Sequence, residues 1–151
     1  MALAHFIRPV APADGPAWQR MRETLWPDES GDHAQEIAQY FSGRRTNPVE
    51  VLVACRGSGA PLGFVELSIR AYAEGCSTDR VAFIEGWFVD AEYRRRGVGA
   101  SLITAAAEWG RANRCTELAS DTQAFNESSI AAHNALGFAE VERLVCFRKP
   151  L

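Results

Sequence analysis

The chain reads as a mixed α/β protein built on a single sheet, its segments running in the order β-α-α-β-β-β-α-β-α-β. Three observations predict this. Residues 81–89, Val-Ala-Phe-Ile-Glu-Gly-Trp-Phe-Val, form the nearly continuous apolar run of a central strand. Two β-rich stretches, 49–56 and 62–71, flank Gly57-Ser58-Gly59-Ala60-Pro61, whose glycines and proline supply the angles of a hairpin. Behind a glycine-rich turn, Leu102, Ile103, Ala106, Trp109 and Gly110 repeat with helical period.

The remaining elements follow in order. Residues 4–10 make a first strand, stopped by Pro9 and Pro12. Asp14 is placed as a helix N-cap with Pro16 in the first turn, and Trp18, Met21, Arg22 and Leu25 continue that helix until Pro27 forces it to end. Asp32 caps a second short helix carrying Ile37, Tyr40 and Phe41. Between the two, Leu25-Trp26-Pro27-Asp28-Glu29 is an acidic, aromatic corner. A loop over 72–80 leads into the central strand, and 116–120 is a short strand. Asn126 caps a helix running to Leu136, with Gly137 as its stop. A last strand is expected over 139–147, where Val141, Leu144, Val145 and Phe147 are apolar.

Composition narrows the possible functions. With 151 residues, 47% hydrophobic and 23% charged, the chain has the balance of an ordinary globular protein, one domain over 1–151 with no repeat or linker. A formal charge of −3 and no basic run beyond Arg94-Arg95-Arg96 argue against nucleic acid as a partner. No stretch is long enough to span a bilayer and residues 1–10 lack a signal-peptide core, so no membrane association and a cytoplasmic location are expected. Cys55, Cys76, Cys115 and Cys146 stand far apart, without a metal-binding spacing; they are expected as small buried hydrophobes, and no metal is expected.

The most informative motif is Arg94-Arg95-Arg96-Gly97-Val98-Gly99-Ala100, between a buried strand and an amphipathic helix. Glycines there let the backbone approach a ligand closely. The unpaired N–H groups of a helix's first turn carry partial positive charge, so a diphosphate fits, and arginines add charged donors. A solvated loop opening a helix is the plain alternative. A Walker A loop is excluded by the missing Gly-Lys-Ser/Thr ending, and a dinucleotide fingerprint by Leu102 where a third glycine belongs.

On these residues the chain resembles the GNAT acetyltransferases, whose signature is R/Q-x-x-G-x-G/A between strand and helix. Asn126 opening a helix that closes on Ala135-Leu136-Gly137-Phe138 is a second match. Within the superfamily it is similar to the aminoglycoside 6′-N-acetyltransferases, through Leu25-Trp26-Pro27, Ser68-Ile69-Arg70 with Tyr72 and Gly75-Cys76, Phe83-Ile84-Glu85-Gly86, Ala119-Ser120-Asp121-Thr122, and Glu142-Arg143 before Phe147-Arg148-Lys149. The resemblance covers nearly the whole chain. It implies the GNAT fold, an α+β arrangement with a mixed, mostly antiparallel, splayed sheet and helices on both faces. It implies acetyl-CoA as co-substrate, an aminoglycoside as acceptor and a homodimer. For the cofactor it implies backbone contacts from Trp87, Phe88 and Val89, a diphosphate wrapped by the arginine–glycine turn from Arg94 through Arg95, Arg96, Gly97, Val98 and Gly99 to Ala100, and Asn126 near the acetyl end.

Acetylating an amine requires a neutral nucleophile, and stripping the proton from an ammonium with pKa near 10 costs about 4 kcal/mol at pH 7. Carboxylates set against the amine lower that cost. Glu85, alone in an apolar strand, either meets an arginine partner or faces a cation-binding cleft; strand alternation puts it on one face with Phe83, Trp87 and Val89. Asp121 ends the next strand, where ligands gather in α/β folds, though Ser-Asp-Thr also makes a turn. The resemblance implies that both act on the acceptor amines, and that Trp26, Tyr72 and Glu142 touch the acceptor too. Read bare, Trp26 is more often a core residue than a ligand, Tyr72 is equally a contact or a surface residue, and Glu142 is solvent-facing or paired with Arg143. His133 stands where many GNAT enzymes carry a proton-donating tyrosine, and is either that donor or a histidine packed on its helix. Two other functions stay open: a GNAT enzyme for another polyamine-like or peptide amine, and a non-catalytic acyl-CoA-binding module.

Overall fold

The computed structural model describes residues 2–28 and 31–151. Strands β1 (Phe6–Pro9), β2 (Glu50–Cys55), β3 (Gly63–Arg70) and β4 (Val81–Val89) pair antiparallel in sequence order, and β5 (Leu118–Ser120) joins β4 in parallel. The helices are α1 (Gly15–Leu25), α2 (His33–Phe41), α3 (Val98–Ala112) and α4 (Glu127–Ala135).

Alternation along the strands gives the sheet two apolar faces. Val51, Val53 and Cys55 of β2 meet Trp18 and Met21 of α1 and Ile37 of α2, together with Phe64 and Phe88. Leu52, Ala54, Val65, Leu67, Ile84 and Val89 meet Val98, Leu102, Ile103 and Ala106 of α3 on the opposite side. At about 1.5–3 kcal/mol for each large side chain removed from water, these two layers dominate the stability. Helices therefore cover both faces of a mixed, mostly antiparallel sheet.

Local chemistry sets the ends of the helices. Asp32 caps α2 by accepting from the Gln35 amide at 3.0 Å, and Asn126 caps α4 through Ser129 N at 3.2 Å. Asp14 does not cap α1 as expected. Its carboxylate instead accepts from Ala11 N at 2.8 Å and from both Arg8 terminal nitrogens at 2.6 and 2.9 Å, because the neighbouring β1 arginine is a stronger partner than the helix amides. The pair ties β1 to the entry of α1.

Two further expectations are corrected. No strand forms over 139–147: residues 139–151 have no helix or strand and lie exposed, with Val145 at 77% and Phe147 at 93%. A strand needs a neighbour for its N–H and C=O groups, and among the described residues of this chain nothing supplies one. The arm meets the body where Val141 lies against Gly75. Cys146 rides on the arm and is exposed instead of buried, whereas Cys55 and Cys115 are buried. In the corner at 25–29, Glu29 lies outside the described residues. Among the described residues no helix is long and apolar enough to cross a membrane.

Candidate active site

Glu85 owes its place to an irregularity in the sheet. Leu67 pairs with Ile84 but Glu66 pairs with Gly86, so Glu85 is the extra residue of a bulge in β4. The bulge shifts the alternation. Trp87 and Val89 turn with Ile84 toward α3, whereas Phe83 packs with Ala73 and Val81. The expectation that Glu85 shares a face with Trp87 and Val89 is thereby corrected, because strict alternation does not survive an inserted residue. Glu85 lies instead with Ser68 and Arg70 of β3: Arg70 donates Nε at 3.0 Å to Oε1 and Nη2 at 2.8 Å to Oε2, and the Ser68 hydroxyl donates to Oε1. Arg70 is itself held flat, its Cζ 3.5 Å from the centroid of the Phe83 ring.

Trp26, the residue closing α1, lies against Gly86, the residue after Glu85. A Cβ on Gly86 would stand 2.7 Å from the Trp26 ring, so only glycine next to Glu85 admits the indole. The other side of Trp26 stacks on His33 at 6.3 Å and 22°, and the Arg22 guanidinium lies 5.2 Å from its centroid. Arg22 is buried between two carboxylates. Its Nη2 donates to Glu36 at 2.6 Å, while its Nε lies 3.3 Å from Glu66 Oε2, near enough to pair but not aimed along the N–H. Trp18 Nε1 donates to the same Glu66 oxygen at 3.2 Å. Burial nonetheless dominates at Glu66 and pushes its carboxyl up to about 7.

β5 hydrogen-bonds β4 over three rungs, the last being Ile84 with Ser120. Glu85 and Asp121 each follow the last rung by one residue along their chain segments, and Asp121 is exposed. Beyond that point the backbone of Trp87, Phe88 and Val89 pairs with β3 and not with β5. That one-sided pairing leaves an edge where an extended ligand can lie.

The same edge leads to the glycine turn. Gly97 (φ 88°) precedes Val98, the first residue of α3, and no side chain caps the helix. The first intrahelical bond is Ser101 N to Gly97 O at 3.0 Å, so the amides of Val98, Gly99 and Ala100 precede the helical ladder. Nothing stands within 4 Å of a Cβ built on Gly97. Arg95 is also left-handed at φ 59°, a conformation costing an arginine on the order of 1 kcal/mol and typical of ligand-gripping turns. The turn thus has the open backbone and free helix start that a diphosphate requires. Arg95 and Arg96 are exposed, while the Arg94 Nε donates to Val89 O at 2.8 Å and closes the end of β4. Gly99 has a second reason to be glycine: its Cβ would meet the Trp87 ring at 3.1 Å.

Asn126 Oδ1 is engaged by the amide of Ser129 and, at 3.1 Å, by the Ser128 hydroxyl. His133 bridges α4 to β5. Its Nδ1 lies 2.7 Å from Ser129 O, which can only accept, so in the neutral ring Nε2 accepts from the Ser120 hydroxyl at 2.9 Å. The ring also packs edge-on against Trp87 and Phe138. Tyr72, 67% exposed, follows β3. Glu142 is on the uncovered arm and makes no contact with Glu85 or Asp121 through a hydrogen bond or ion pair among the described residues. A hollow of about 590 Å³ at the β2–β3 turn is lined by Arg20, Arg56, Asp90 and Tyr93 and contains the Arg20–Asp90 pair.

The sequence reading left Ser68, Arg70 and Gly86 out of the site. A signal existed for the first two, since Glu66, Ser68 and Arg70 are polar at every second position of an apolar strand.

The chain is similar to known acetyltransferases. Residues 18–138 match the family described as acetyltransferase (GNAT). A Klebsiella aerogenes protein named aminoglycoside N(6′)-acetyltransferase type 1 is 51% identical over 146 residues, 96% of each chain. The crystal structure of the 6′-N-acetyltransferase AAC(6′)-Ih from Acinetobacter baumannii superposes with a TM-score of 0.87 at 37% identity, covering 98% of this chain and 99% of that one. The structure of AAC(6′)-Iy with the bisubstrate analogue CoA-S-monomethyl-acetylneamine superposes with a TM-score of 0.86 at 34% identity, covering 99% and 100%.

Proposed function

The chain belongs to the acetyltransferase (GNAT) family, and from that premise we propose that it transfers the acetyl group of acetyl-CoA to the 6′-amine of an aminoglycoside, giving resistance to the drug. The observation that carries this reading is the pair of carboxylates, Glu85 and Asp121, at the point where β4 and β5 part, on the same edge that runs to the open start of α3. The edge supports a role for the Trp87–Val89 backbone in aligning the pantetheine arm, with the diphosphate on the turn from Arg95 to Ala100. The acceptor then enters between Trp26, Tyr72 and the carboxylates, which hold its ammonium groups and favour loss of a proton from the reacting amine. The neutral amine adds to the thioester carbonyl, the carbon–sulfur bond breaks, and the leaving thiolate takes up a proton, so no acyl-enzyme is needed.

The whole chain works as one domain in this reading, in the cytoplasm, as a homodimer. Support for the dimer comes from the uncovered arm, whose Val141, Leu144, Val145 and Phe147 are 57–93% exposed in a single chain. A second copy supplies both the missing strand neighbour and cover for these side chains, and brings Glu142 against a body.

Thiol release from acetyl-CoA, followed against a panel of aminoglycosides and simple polyamines, tests the activity, and NMR of the product tests the 6′ position. Glu85→Gln and Asp121→Asn are expected to raise the acceptor KM or lower kcat by tenfold or more, on the order of 1.4 kcal/mol, with CoA affinity by calorimetry unchanged. Normal turnover in both variants would remove these residues from the reaction.

A further inference from the structure

The segment that leads into β1 reaches the glycine turn, and no part of the function so far described uses it. Burial alternates along it: Leu3, His5 and Ile7 are half-buried, Ala4 and Phe6 exposed, and Leu3 and Ile7 pack against the core under α3. The Leu3 N–H donates to Arg96 O at 3.1 Å. The Leu3 carbonyl accepts from His5 Nδ1 at 2.5 Å, so in the neutral ring His5 Nε2 accepts from the Ser101 hydroxyl at 2.8 Å. The Ser101 N–H in turn donates to Gly97 O at 3.0 Å. These bonds close a ring that runs from Arg96 through the N-terminal segment to the first turn of α3 and back to Gly97. Resting on the reading of this turn as the diphosphate site, we propose that His5, Ser101 and the Leu3 amide are positioning groups for acetyl-CoA, a clasp that holds the Arg96–Gly97 peptide in the orientation the diphosphate needs.

A trans peptide is planar, with its C=O and N–H on opposite sides. Drawing the Arg96 carbonyl toward Leu3 therefore aims the Gly97 N–H away from the N-terminal segment, and that amide has no partner among the described residues. The Arg96 carbonyl is also the acceptor the Ala100 amide would use if α3 began earlier; Leu3 engages it instead, and the Ala100 amide stays outside the ladder. Arg96 sits between two left-handed residues, Arg95 at φ 59° and Gly97 at φ 88°. Glycine permits that conformation without imposing it, so something else must hold the turn. A turn ordered beforehand leaves less entropy for the ligand to remove on binding. The effect is confined to the diphosphate, because the pantetheine arm aligns on β4 and the acceptor meets Glu85 and Asp121.

The test compares acetyl-CoA with S-acetylpantetheine, which carries the same thioester and arm without the diphosphate. His5→Ala and Ser101→Ala are each expected to weaken CoA binding by calorimetry at least fivefold and to raise the KM for acetyl-CoA to match. The KM values for S-acetylpantetheine and for the aminoglycoside are expected to stay level. Leu3→Pro, which removes the N–H, is expected to act like His5→Ala, whereas Leu3→Ala keeps the N–H and retains CoA affinity. Ser101→Thr, which keeps the hydroxyl, is expected to bind CoA as wild type does. Thermal melts check that each variant is folded. Unchanged CoA affinity in His5→Ala and Ser101→Ala overturns the proposal. So do equal losses with both thioesters, or a loss in Leu3→Ala as large as in Leu3→Pro, because the segment then only stabilises the fold. Gly97→Val separates the two readings: if it leaves CoA affinity unchanged, the diphosphate reading fails as well. If it weakens CoA while the clasp variants bind normally, only the clasp fails.

Discussion

Glu66 couples stability to pH. Its carboxyl is raised from 4.5 to about 7 by burial, so the fold retains a proton that the unfolded chain releases. Stability from this group is complete below pH 4.5 and is lost as pH rises through 7, a fall of about 3 kcal/mol. Glu66→Gln keeps the neutral form at every pH. Urea unfolding at pH 5 and pH 8 is expected to show wild type losing stability between the two while the variant stays level from this source; parallel behaviour would mean that Glu66 does not titrate there. Asp14 acts in the opposite sense, since the bond from Arg8 lowers its pKa and its contribution is lost as pH falls. Neither group was legible as a site in the sequence. Asp14 read as a cap, and Glu66 went unmarked within the β-rich stretch 62–71, because the partner of each comes from a different element. Asp32 and Asn126 were legible, since a cap needs only its own next three residues.

At the scale of elements, the contact between α1 and β4 depends on one missing side chain. Gly86→Ala puts a methyl group 2.7 Å from the Trp26 ring, and the indole has to leave its place between His33 and the strand. Overpacking of this kind costs about 1–3 kcal/mol. The variant is expected to melt earlier and to bind the acceptor several-fold more weakly, with CoA affinity unaltered; kinetics with both substrates varied, together with a thermal melt, check this. Periodicity was enough to place the central strand, the hairpin and the helices to within a few residues. The bulge at Glu85 was not legible, since a run apolar on both faces has no alternation for an inserted residue to break. Residues 139–147 carry the apolar content of a strand, but strand formation depends on a neighbour that the sequence does not name.

For the whole molecule, the arm is the least economical feature of a solitary chain. Phe147 at 93% and Val145 at 77% exposure are a liability unless another surface covers them. Val145→Asp with Phe147→Asp leaves the body untouched and is expected to give a monomer by light scattering, with weakened acceptor binding as Glu142 loses its place; a persistent dimer would show that the arm is not the contact. In the antiparallel run, β2 to β3 and β3 to β4 are joined by loops, whereas β5 is attached by only three rungs after the long α3 crossover. That seam is the thinnest in the backbone ladder, and its amide protons will exchange with solvent ahead of those in β2 and β3. A thioester lying along the parted strands would act as a splint there, so the molecule will be at its most rigid while loaded and will loosen once the spent thiol departs.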